Sequence, residues 1–433
     1  MKTLDQIAAE LQGYDPQALP ADTVNAFLAR LVTLPEAFEE VPLMQALGRV
    51  LAESVISPIN VPAHDNSAMD GYAFNGQALE PAGQLSLEVV GTALAGMAFS
   101  GTVASGQCVR VMTGAVMPAS LDTVVPQELV QVAGNNITIA AGAVRRGDNR
   151  RARGEDLQQG SVALAAGSVL APASVGLLAS LGLPDARVWR RLRVAYFSTG
   201  DEVLSLGDSP REGAIFDSNR YTVWGMLQRM GVDCIDLGVV PDEPAHLEAA
   251  FRHAAAQADA IITSGGVSVG EADHTKAIMR KIAQSDTPGE GGVVFWRVAM
   301  RPGRPMAVGR VGKIPLFGLP GNPVAVMVTF LAFVRPALWR MMGASPQDPA
   351  VAPPLLKARS TVAIRKKAGR TEYQRAIVSS DGNGQLCVQT TGDQGSGVLS
   401  SMVRANGLLV LHHHQGNVAP GDLVDVMVFF GVI

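Results

Sequence analysis

The chain is poor in cysteine, and the few cysteines it has are far apart. Cys108, Cys234 and Cys387 are the only three among 433 residues, and none has a C-x-x-C partner or a histidine at metal-binding spacing. A disulfide framework or a zinc site needs such clusters. The sequence therefore excludes a disulfide-stapled secreted domain, and all three cysteines are predicted to be core residues.

The sequence also lacks a long apolar run and a strong charge bias. Its longest apolar run, residues 324–334, has eleven residues, and a transmembrane helix needs about 20. The formal net charge of −4 gives no electrostatic reason to expect a nucleic-acid partner. No signal-peptide pattern opens the sequence. We therefore expect a cytoplasmic protein that binds neither membranes nor nucleic acids.

Length and apolar content are what the sequence has in abundance. With 433 residues, 47% of them hydrophobic, the chain is too large for one core and is expected to form several domains. Composition shifts and turn-rich stretches mark the divisions. We predict a discontinuous helical domain I at 1–58 and 151–187, an inserted β domain II at 59–150, an α/β domain III at 188–343, and a C-terminal domain IV at 344–433 that is a β-barrel or sandwich.

The clearest pattern is an alternation of strands and helices in domain III. It predicts strands at 188–198, 233–239 and 260–263, separated by helices at 218–230 and 244–257. Alternation of this kind is typical of a doubly wound, mostly parallel sheet. Because such sheets bind ligands outside the carboxyl ends of their strands, functional residues are expected there.

A glycine turn follows the third of these strands. Ser264, Gly265 and Gly266 lead toward Gly270 and a predicted helix at 271–283. Glycine allows positive φ and a close approach of the backbone to a ligand, and a helix N-terminus attracts anions. The turn is therefore predicted to be an anion site.

Hydroxyl and acidic side chains surround this turn. Thr263 and Ser268 add hydroxyl donors to that of Ser264, while Glu271 and Asp273 lie in the first turn of the predicted helix. Two interpretations of the acids stay open. They are ordinary first-turn residues that suit the helix dipole, or Asp273 is a metal or leaving-group partner beside a bound phosphate.

Acidic residues follow all three predicted strands of domain III. Glu202, Asp242 and Asp273 would meet in one crevice if the strands are parallel neighbours. Capping explains each acid alone. Three carboxylates in one place repel each other unless a cation or a polar ligand lies among them, so the group points to such a ligand.

Two further segments are predicted to complete this crevice. Arg301 and Arg304 stand on a proline-rich turn, where their guanidinium groups suit an oxyanion, although exposed arginines often have no specific role. Residues 318–323 then lead into a long helix predicted at 324–341. Asn322 is expected at its N-cap and Pro323 at its first position, giving a second helix N-terminus at the crevice.

Polar loops in domains II and IV offer additional candidates. The loop at 65–70 and the pair Thr113-Gly114 fit either Asx-turn chemistry or a functional loop. In domain IV, Arg375 and the loop 395–397 are well placed for a ligand role. His412, His413 and His414 are not expected to chelate a metal, because adjacent residues of a strand point to opposite faces.

Six motifs, taken in order, resemble those of the molybdopterin molybdenumtransferase (MoeA) family, which includes the gephyrin E domain. The resemblance covers nearly the whole chain. The motifs are Asp65-Asn66-Ser67-Ala68-Met69-Asp70-Gly71-Tyr72-Ala73, Met112-Thr113-Gly114-Ala115, Arg153-Gly154-Glu155-Asp156, Ser198-Thr199-Gly200-Asp201-Glu202, residues 263–273 and residues 318–323.

The resemblance implies a multidomain α/β plus β fold with a central MogA-like molybdopterin-binding α/β domain and a C-terminal β-barrel. It implies a homodimer in which domain II of one subunit completes the crevice of the other. The implied reaction inserts molybdate into adenylylated molybdopterin with Mg²⁺ and releases AMP, in molybdenum cofactor biosynthesis. Other proteins of that biosynthesis are potential partners.

The resemblance and the residues together give the predicted sites. The catalytic residues are Asp65, Thr113, Glu202, Asp242 and Asp273, of which Asp242 and Asp273 also bind the metal. The molybdopterin-binding residues are Asp217, Ser218, Thr263, Ser264, Gly265, Gly266, Ser268, Gly270, Pro320, Gly321, Asn322 and Pro323. The molybdate-binding residues are Arg301, Arg304, Arg375 and Ser396.

Two departures from the family pattern concern the oxyanion. Arg301 and Arg304 stand where many members have lysine, and Ala325 stands where many have serine. A guanidinium is a planar fork and an ammonium a point charge, so these changes either retune affinity or shift preference from molybdate toward tungstate. A molybdopterin adenylyltransferase-like enzyme and a gephyrin-like scaffold remain the alternative functions.

Overall fold

The computed structural model describes residues 2–266, 281 and 292–429. These residues form two compact units. The first unit comprises residues 2–53, 166–172 and 185–429, and the second comprises residues 54–165 and 173–184. The finer division into four domains at the predicted boundaries stays a prediction.

The first unit is built on a six-stranded sheet, and four neighbouring strands of this sheet are parallel. Two antiparallel strands extend it at one edge. In spatial order the strands are Asp233–Val240, Arg193–Thr199, Ala260–Ser264, Ile314–Leu319, Pro305–Val311 and Gly292–Arg297.

Helices cover both faces of this sheet, so the predicted doubly wound fold is confirmed. Pro244–Gln257 packs its buried Leu247 and Phe251 on one face. Ser218–Arg229 and the long helix Pro323–Met341 share the core on the other face. Parallel strands buried on both sides explain the nearly continuous apolar sequence of Arg193–Thr199.

In the described part of the chain, one helix could be mistaken for a membrane span, and it is the long helix Pro323–Met341. Its 19 residues are long and apolar enough to cross a bilayer, but 83% of its most apolar window is buried inside the protein. It consists of α-helical Pro323–Thr329, a π-helical turn Phe330–Val334 and α-helical Arg335–Met341. We conclude that this helix belongs to the core.

The prediction of one strand over 188–198 was wrong. The structure has two strands, Asp185–Trp189 and Arg193–Thr199, and the first pairs with Phe38–Pro42 outside the central sheet. Residues 190–192 separate them, and Arg190 forms a two-pronged ion pair there with Asp259, with both N–O distances below 2.9 Å. The predicted helix at 271–283 lies outside the described residues except for residue 281.

The remaining elements of the first unit are short helices and a barrel. The helices are Leu4–Ala9, Ala21–Leu31 and Ser400–Arg404. Five strands close the C-terminal barrel, each hydrogen-bonded to two others, which confirms the barrel alternative. Around the barrel they are Thr371–Ser380, Leu386–Thr390, Leu356–Ser360, Leu423–Val428 and Gly407–Leu411. Small pairs are formed by Val203–Leu204 with Ile215–Phe216 and by Met300–Arg301 with Thr371 and Glu372.

The second unit is mainly a six-stranded sheet. All of the helix Pro172–Ser180 except its first residue also belongs to this unit. The strands of the sheet in spatial order are Thr123–Pro126, Gly71–Phe74, Gln107–Val111, Leu85–Ala93, Asn136–Ile139 and Val130–Ala133. Two short antiparallel pairs join Asn66–Ser67 to Arg150–Arg151 and Val55–Ile56 to Val162–Leu164. Cys108 is buried in the core of this unit as predicted, whereas Cys234 and Cys387 of the first unit are only half-buried.

Candidate functional site

The first unit contains a cavity of about 700 Å³ at the carboxyl ends of its parallel strands. After the strand Arg193–Thr199, the next strand in the chain, Asp233–Val240, lies on one side of it, and the following one, Ala260–Ser264, lies on the other side. The strand order therefore reverses between Arg193–Thr199 and Ala260–Ser264. Such a reversal leaves a crevice in which doubly wound proteins bind ligands. The cavity lies at this crevice, since Ser198 and Ser264 line it.

Most of the predicted site residues in this unit line the cavity. Residues of five segments and of the barrel meet there. The lining includes Ser198, Thr199, Glu202, Phe216, Asp217, Ser218, Asn219, Ser264, Gly265, Gly266, Arg301, Arg304, Pro320, Gly321, Asn322, Pro323, Ala325, Gln394, Gly395 and Ser396. Thr263 is buried just before the turn, and Ser268, Gly270 and Asp273 lie outside the described residues.

The glycine turn has the backbone that its sequence predicts. Gly265 and Gly266 have φ of +90° and +64°. A Cβ atom on Gly265 would lie 2.3 Å from the carbonyl oxygen of Thr199. Only glycine fits this position, because the left-handed conformation and the adjacent backbone both exclude a side chain. Both glycines line the cavity, and the N–H of Gly265 donates to the carbonyl of Leu319 at 3.2 Å.

Acidic side chains gather beside this turn. Glu202 lines the cavity, while the backbone N–H of Asp242 donates to the carboxylate of Asp201 over 3.2 Å. Burial raises the pKa of Asp242, and the charges of Asp201 and Glu202 raise it further. Its Oδ1 is buried without a hydrogen-bond partner. Two of the three predicted acids are thus electrostatically coupled, and such a group is suited to a cation.

Asp217 and Asn219 lie at the start of a helix that lines the cavity. One carboxylate oxygen of Asp217 accepts from the backbone N–H of Arg220 at 3.0 Å and so caps the helix Ser218–Arg229. Asn219 donates through Nδ2 to the carbonyl of Gly321 at 2.7 Å. Oδ2 of Asp217 and Oδ1 of Asn219 are buried and have no hydrogen-bond partner among the described residues. An unpaired buried acceptor costs stability, so these atoms favour a ligand with donor groups.

The two predicted arginines face the same cavity. Arg301 and Arg304 line it, and neither forms an ion pair among the residues that the structure describes. A Cβ atom on Gly303, between them, would lie 2.4 Å from Cγ2 of Thr329 in the long helix. This close packing fixes the turn that carries both guanidinium groups. The turn is suited to hold an oxyanion by charge-assisted hydrogen bonds.

The start of the long helix differs in one detail from its prediction. Asn322 occupies the N-cap position but makes no capping bond with its side chain. Its Nδ2 donates instead to Oγ of Ser396 at 2.9 Å, and the backbone N–H of Val324 donates to the carbonyl of Ser396 at 3.1 Å. A loop of the barrel therefore replaces the expected cap and brings Ser396 to the cavity.

Arg375 lies behind that loop and does not line the cavity. It is fully buried, and its guanidinium group donates to the carbonyls of Asp393, Gln394 and Gly395 and to Oγ of Ser401. All three guanidinium nitrogens have a partner, so direct contact with molybdate would break existing bonds. Arg375 was predicted to contact molybdate, whereas in the structure it holds the loop 393–395 in place.

Asp65 and Thr113 belong to the second unit, where a local network fixes them. Asp65 accepts from the backbone N–H of Arg153 at 2.8 Å and pairs with Arg150 at 3.3 Å. Thr113 donates through its backbone N–H and its hydroxyl to Asp70, at 2.7 and 2.8 Å. These bonds lower the pKa of Asp70. Asp70 was not assigned a role from sequence, although it stands in the same motif as Asp65, which could have identified it.

Several lining residues were missed from sequence. Asn219 and Gln394 were not assigned a role from sequence, because no local pattern distinguished them from ordinary loop or helix residues. Ser198 and Thr199 stood in a recognised motif at a strand end, which is a signal that could have found them. The described residues contain no cluster of three or more His, Cys, Asp or Glu side chains close enough to hold a metal by themselves.

Three family models match consecutive parts of the chain. Residues 19–182 match the family model described as MoeA N-terminal region (domain I and II). Residues 195–340 match the one described as probable molybdopterin binding domain, and 357–429 match MoeA C-terminal region (domain IV).

Similar proteins span the full length. The chain is 40% identical to a molybdopterin molybdenumtransferase of Haemophilus influenzae, covering 95% of this chain and 98% of that protein. It is 35% identical to one of a Nostoc species, covering 96% and 95%. A crystal structure of a molybdopterin biosynthesis moeA protein from Pyrococcus horikoshii superposes with a TM-score of 0.78 at 26% identity, covering 95% of this chain and all of that one.

Proposed function

Because the chain belongs to the MoeA family, we propose that it is a molybdopterin molybdenumtransferase that inserts molybdenum from molybdate into adenylylated molybdopterin and releases AMP. One observation carries this proposal within the structure. The cavity at the strand-order reversal brings together a glycine turn, two arginines that form no ion pair with any described residue, and the Asp217 and Asn219 oxygens that have no hydrogen-bond partner among the described residues. It combines donors for phosphate and molybdate with acceptors for a pterin.

Each side of the cavity suits one part of the reaction. In the glycine turn, Gly266 offers its backbone N–H to the phosphates, whereas the N–H of Gly265 donates to the carbonyl of Leu319 at 3.2 Å. Asp217 offers an acceptor to the donor-rich pterin edge. Arg301 and Arg304 supply positive charge for molybdate. Holding both substrates in one cavity converts their reaction into an effectively unimolecular step.

The proposal includes Mg²⁺, which the acidic group suits. Asp242 has a buried carboxylate oxygen without a partner and lies in the field of Asp201 and Glu202. With Asp273, which is outside the described residues, Asp242 would hold the ion through hard oxygen ligands. When bound, Mg²⁺ neutralises phosphate charge as AMP leaves. Glu202 is then placed to orient water.

Assembly and location are part of the same proposal. We propose a homodimer in the cytoplasm, where other proteins of molybdenum cofactor biosynthesis act as suppliers and acceptors. The three free cysteines suit a reducing compartment. Burial raises the pKa of the Cys108 thiol to about 12 and that of Cys234 to about 11, so both stay protonated and unreactive.

The decisive experiment measures AMP released from adenylylated molybdopterin by the purified protein, with and without molybdate and Mg²⁺. We expect release that requires molybdate and Mg²⁺, and reduced release by an Arg301→Ala variant. Formation of adenylylated molybdopterin from molybdopterin and ATP would instead support an adenylyltransferase. Absence of both reactions in folded protein would contradict an enzymatic role and leave a scaffold.

A further inference from the structure

Below the cavity lies a triangle of three hydroxyl groups, of which only that of Ser264 belongs to a predicted molybdopterin-binding residue. Tyr196 is 1% exposed, and its hydroxyl lies 2.9 Å from Oγ of Ser198 and 2.7 Å from Oγ of Ser264. The two serine oxygens are 3.3 Å apart. Both serines line the cavity, while Tyr196 lies behind them in the core. The triangle thus connects buried structure with the wall of the site.

The position of the triangle in the fold ties it to ligand binding. Ser198 and Ser264 are paired across the two neighbouring strands between which the strand order reverses. Ser264 also begins the turn that continues into Gly265. Any movement of these two hydroxyls therefore changes the surface that a phosphate in the turn would meet.

The number of hydrogens decides what Tyr196 can do. Three hydroxyls have three hydrogens, and a closed triangle uses all of them internally. When one serine turns its hydrogen toward a ligand, the triangle opens into a chain. Tyr196 donates to one serine, that serine donates to the second, and the second donates to the ligand. A hydroxyl that accepts a bond becomes a stronger donor itself, so Tyr196, 2.9 Å or less from both serines, strengthens and orients this chain.

We propose that Tyr196 is a positioning residue that orients the hydroxyls of Ser198 and Ser264 toward a phosphate of the substrate. This inference rests on the proposed function, because it takes the cavity as the site of a phosphorylated pterin. Tyr196 itself touches no substrate. Its effect is expected on binding of the phosphorylated substrate and not on the use of molybdate.

The test compares Tyr196→Phe with the wild-type protein in direct binding of adenylylated molybdopterin, measured by fluorescence titration. The variant keeps the buried ring and loses one hydroxyl. We expect its Kd for this substrate to rise roughly 3- to 10-fold, which is what loss of about one net hydrogen bond produces. The KM for molybdate is expected to stay unchanged.

A double-mutant cycle separates positioning from general damage. In a Ser198→Ala, Ser264→Ala background, Tyr196→Phe is expected to have no further effect on Kd, because the groups it orients are gone. Tyr14→Phe is the matched control, since the Tyr14 hydroxyl accepts a 2.8 Å bond from Trp296 and does not line the cavity. It should bind the substrate as the wild type does.

The outcomes distinguish this inference from the proposed function. Wild-type binding with an unchanged Kd in Tyr196→Phe, or an equal loss in the serine-free background, would overturn the positioning role alone. Lack of binding by the folded wild-type protein would overturn the proposed function and the inference with it. If Tyr196→Phe does not fold, Ser264→Ala replaces it, and an unchanged Kd there would overturn the inference.

Discussion

Single residues beside the cavity are tuned by their neighbours, and Asp242 is the clearest example. A carboxylate loses hydration when it is buried, and nearby negative charges add repulsion. Both effects raise the pKa of Asp242, with burial the larger. The residue therefore destabilises the protein whenever it is ionised without a cation. This is a common cost of a site prepared for a ligand.

Replacing Asp242 with asparagine should relieve this cost in the ligand-free protein. We expect the free energy of unfolding at pH 7 to rise by about 0.5 kcal/mol, a small value because the residue is only half-buried and solvent screens it. The wild-type penalty is complete above the raised pKa and fades as the pH falls through it. The gain should therefore vanish in acid. Urea unfolding across pH measures it.

Asp233→Asn serves as the control for this measurement. Asp233 is exposed at the beginning of the strand Asp233–Val240, whose far end leads to Asp242. Its replacement should change stability little at any pH. A loss of stability in Asp242→Asn at pH 7 would show that the carboxylate is already neutralised by a partner.

Arg375 provides a second residue-scale prediction. Arg375→Met would leave three backbone carbonyls and a serine hydroxyl without their donor in the interior. We expect the free energy of unfolding to fall by about 2–4 kcal/mol, and Arg375→Lys to recover part of this. Urea unfolding gives the values.

A matched arginine of the same barrel controls for the loss of charge. Arg359 is exposed and also donates to a backbone carbonyl, that of Gly421, at 2.9 Å. Arg359→Met should cost less than about 1 kcal/mol, because water can satisfy the groups it leaves. Similar losses in both variants would contradict the special role of the buried arginine.

At the scale of elements, the stability of the site depends on the junction between the strand Ala260–Ser264 and the glycine turn that follows it. Gly265→Ala would force a Cβ against the Thr199 carbonyl in a left-handed conformation. We expect a loss of at least about 2 kcal/mol in unfolding free energy, measured by urea titration. At Gly321 a Cβ would have only one atom within 4.0 Å.

Gly321→Ala is therefore the matched control for stability. It should change the free energy of unfolding by about 0.5 kcal/mol or less. Both glycines line the cavity, so their different tolerance would reflect backbone geometry alone. Equal losses would mean that the turn at Gly265 adopts another conformation in solution.

Many elements were predictable because their signals are local. Pro244–Gln257 begins at its proline as expected, and Ser218–Arg229 ends one residue before the predicted limit. The division of 188–198 into two strands was not predictable, because the first strand pairs with Phe38–Pro42, which is distant in sequence and lies outside the central sheet. Likewise, the bond from Asn322 to Ser396 in place of a helix cap depends on the barrel.

At the scale of the whole molecule, the proposed homodimer can be tested directly by its mass. We expect light scattering combined with gel filtration to give twice the chain mass of 45.3 kDa, because the proposed enzyme is a homodimer. The apparent mass should stay constant over a hundredfold dilution if the interface has the size of a permanent one. A mass of one chain at micromolar concentration would contradict the dimer.

By itself, the sequence determined the types of fold and the family. Alternation of strands and helices, turn glycines and six motifs in order are local properties, and local chemistry is legible along a chain. Only the tertiary structure decided which side chains meet in the cavity. Tyr196 joined Ser264, and Arg375 withdrew behind its loop, because hydrogen bonds between residues distant in sequence depend on packing.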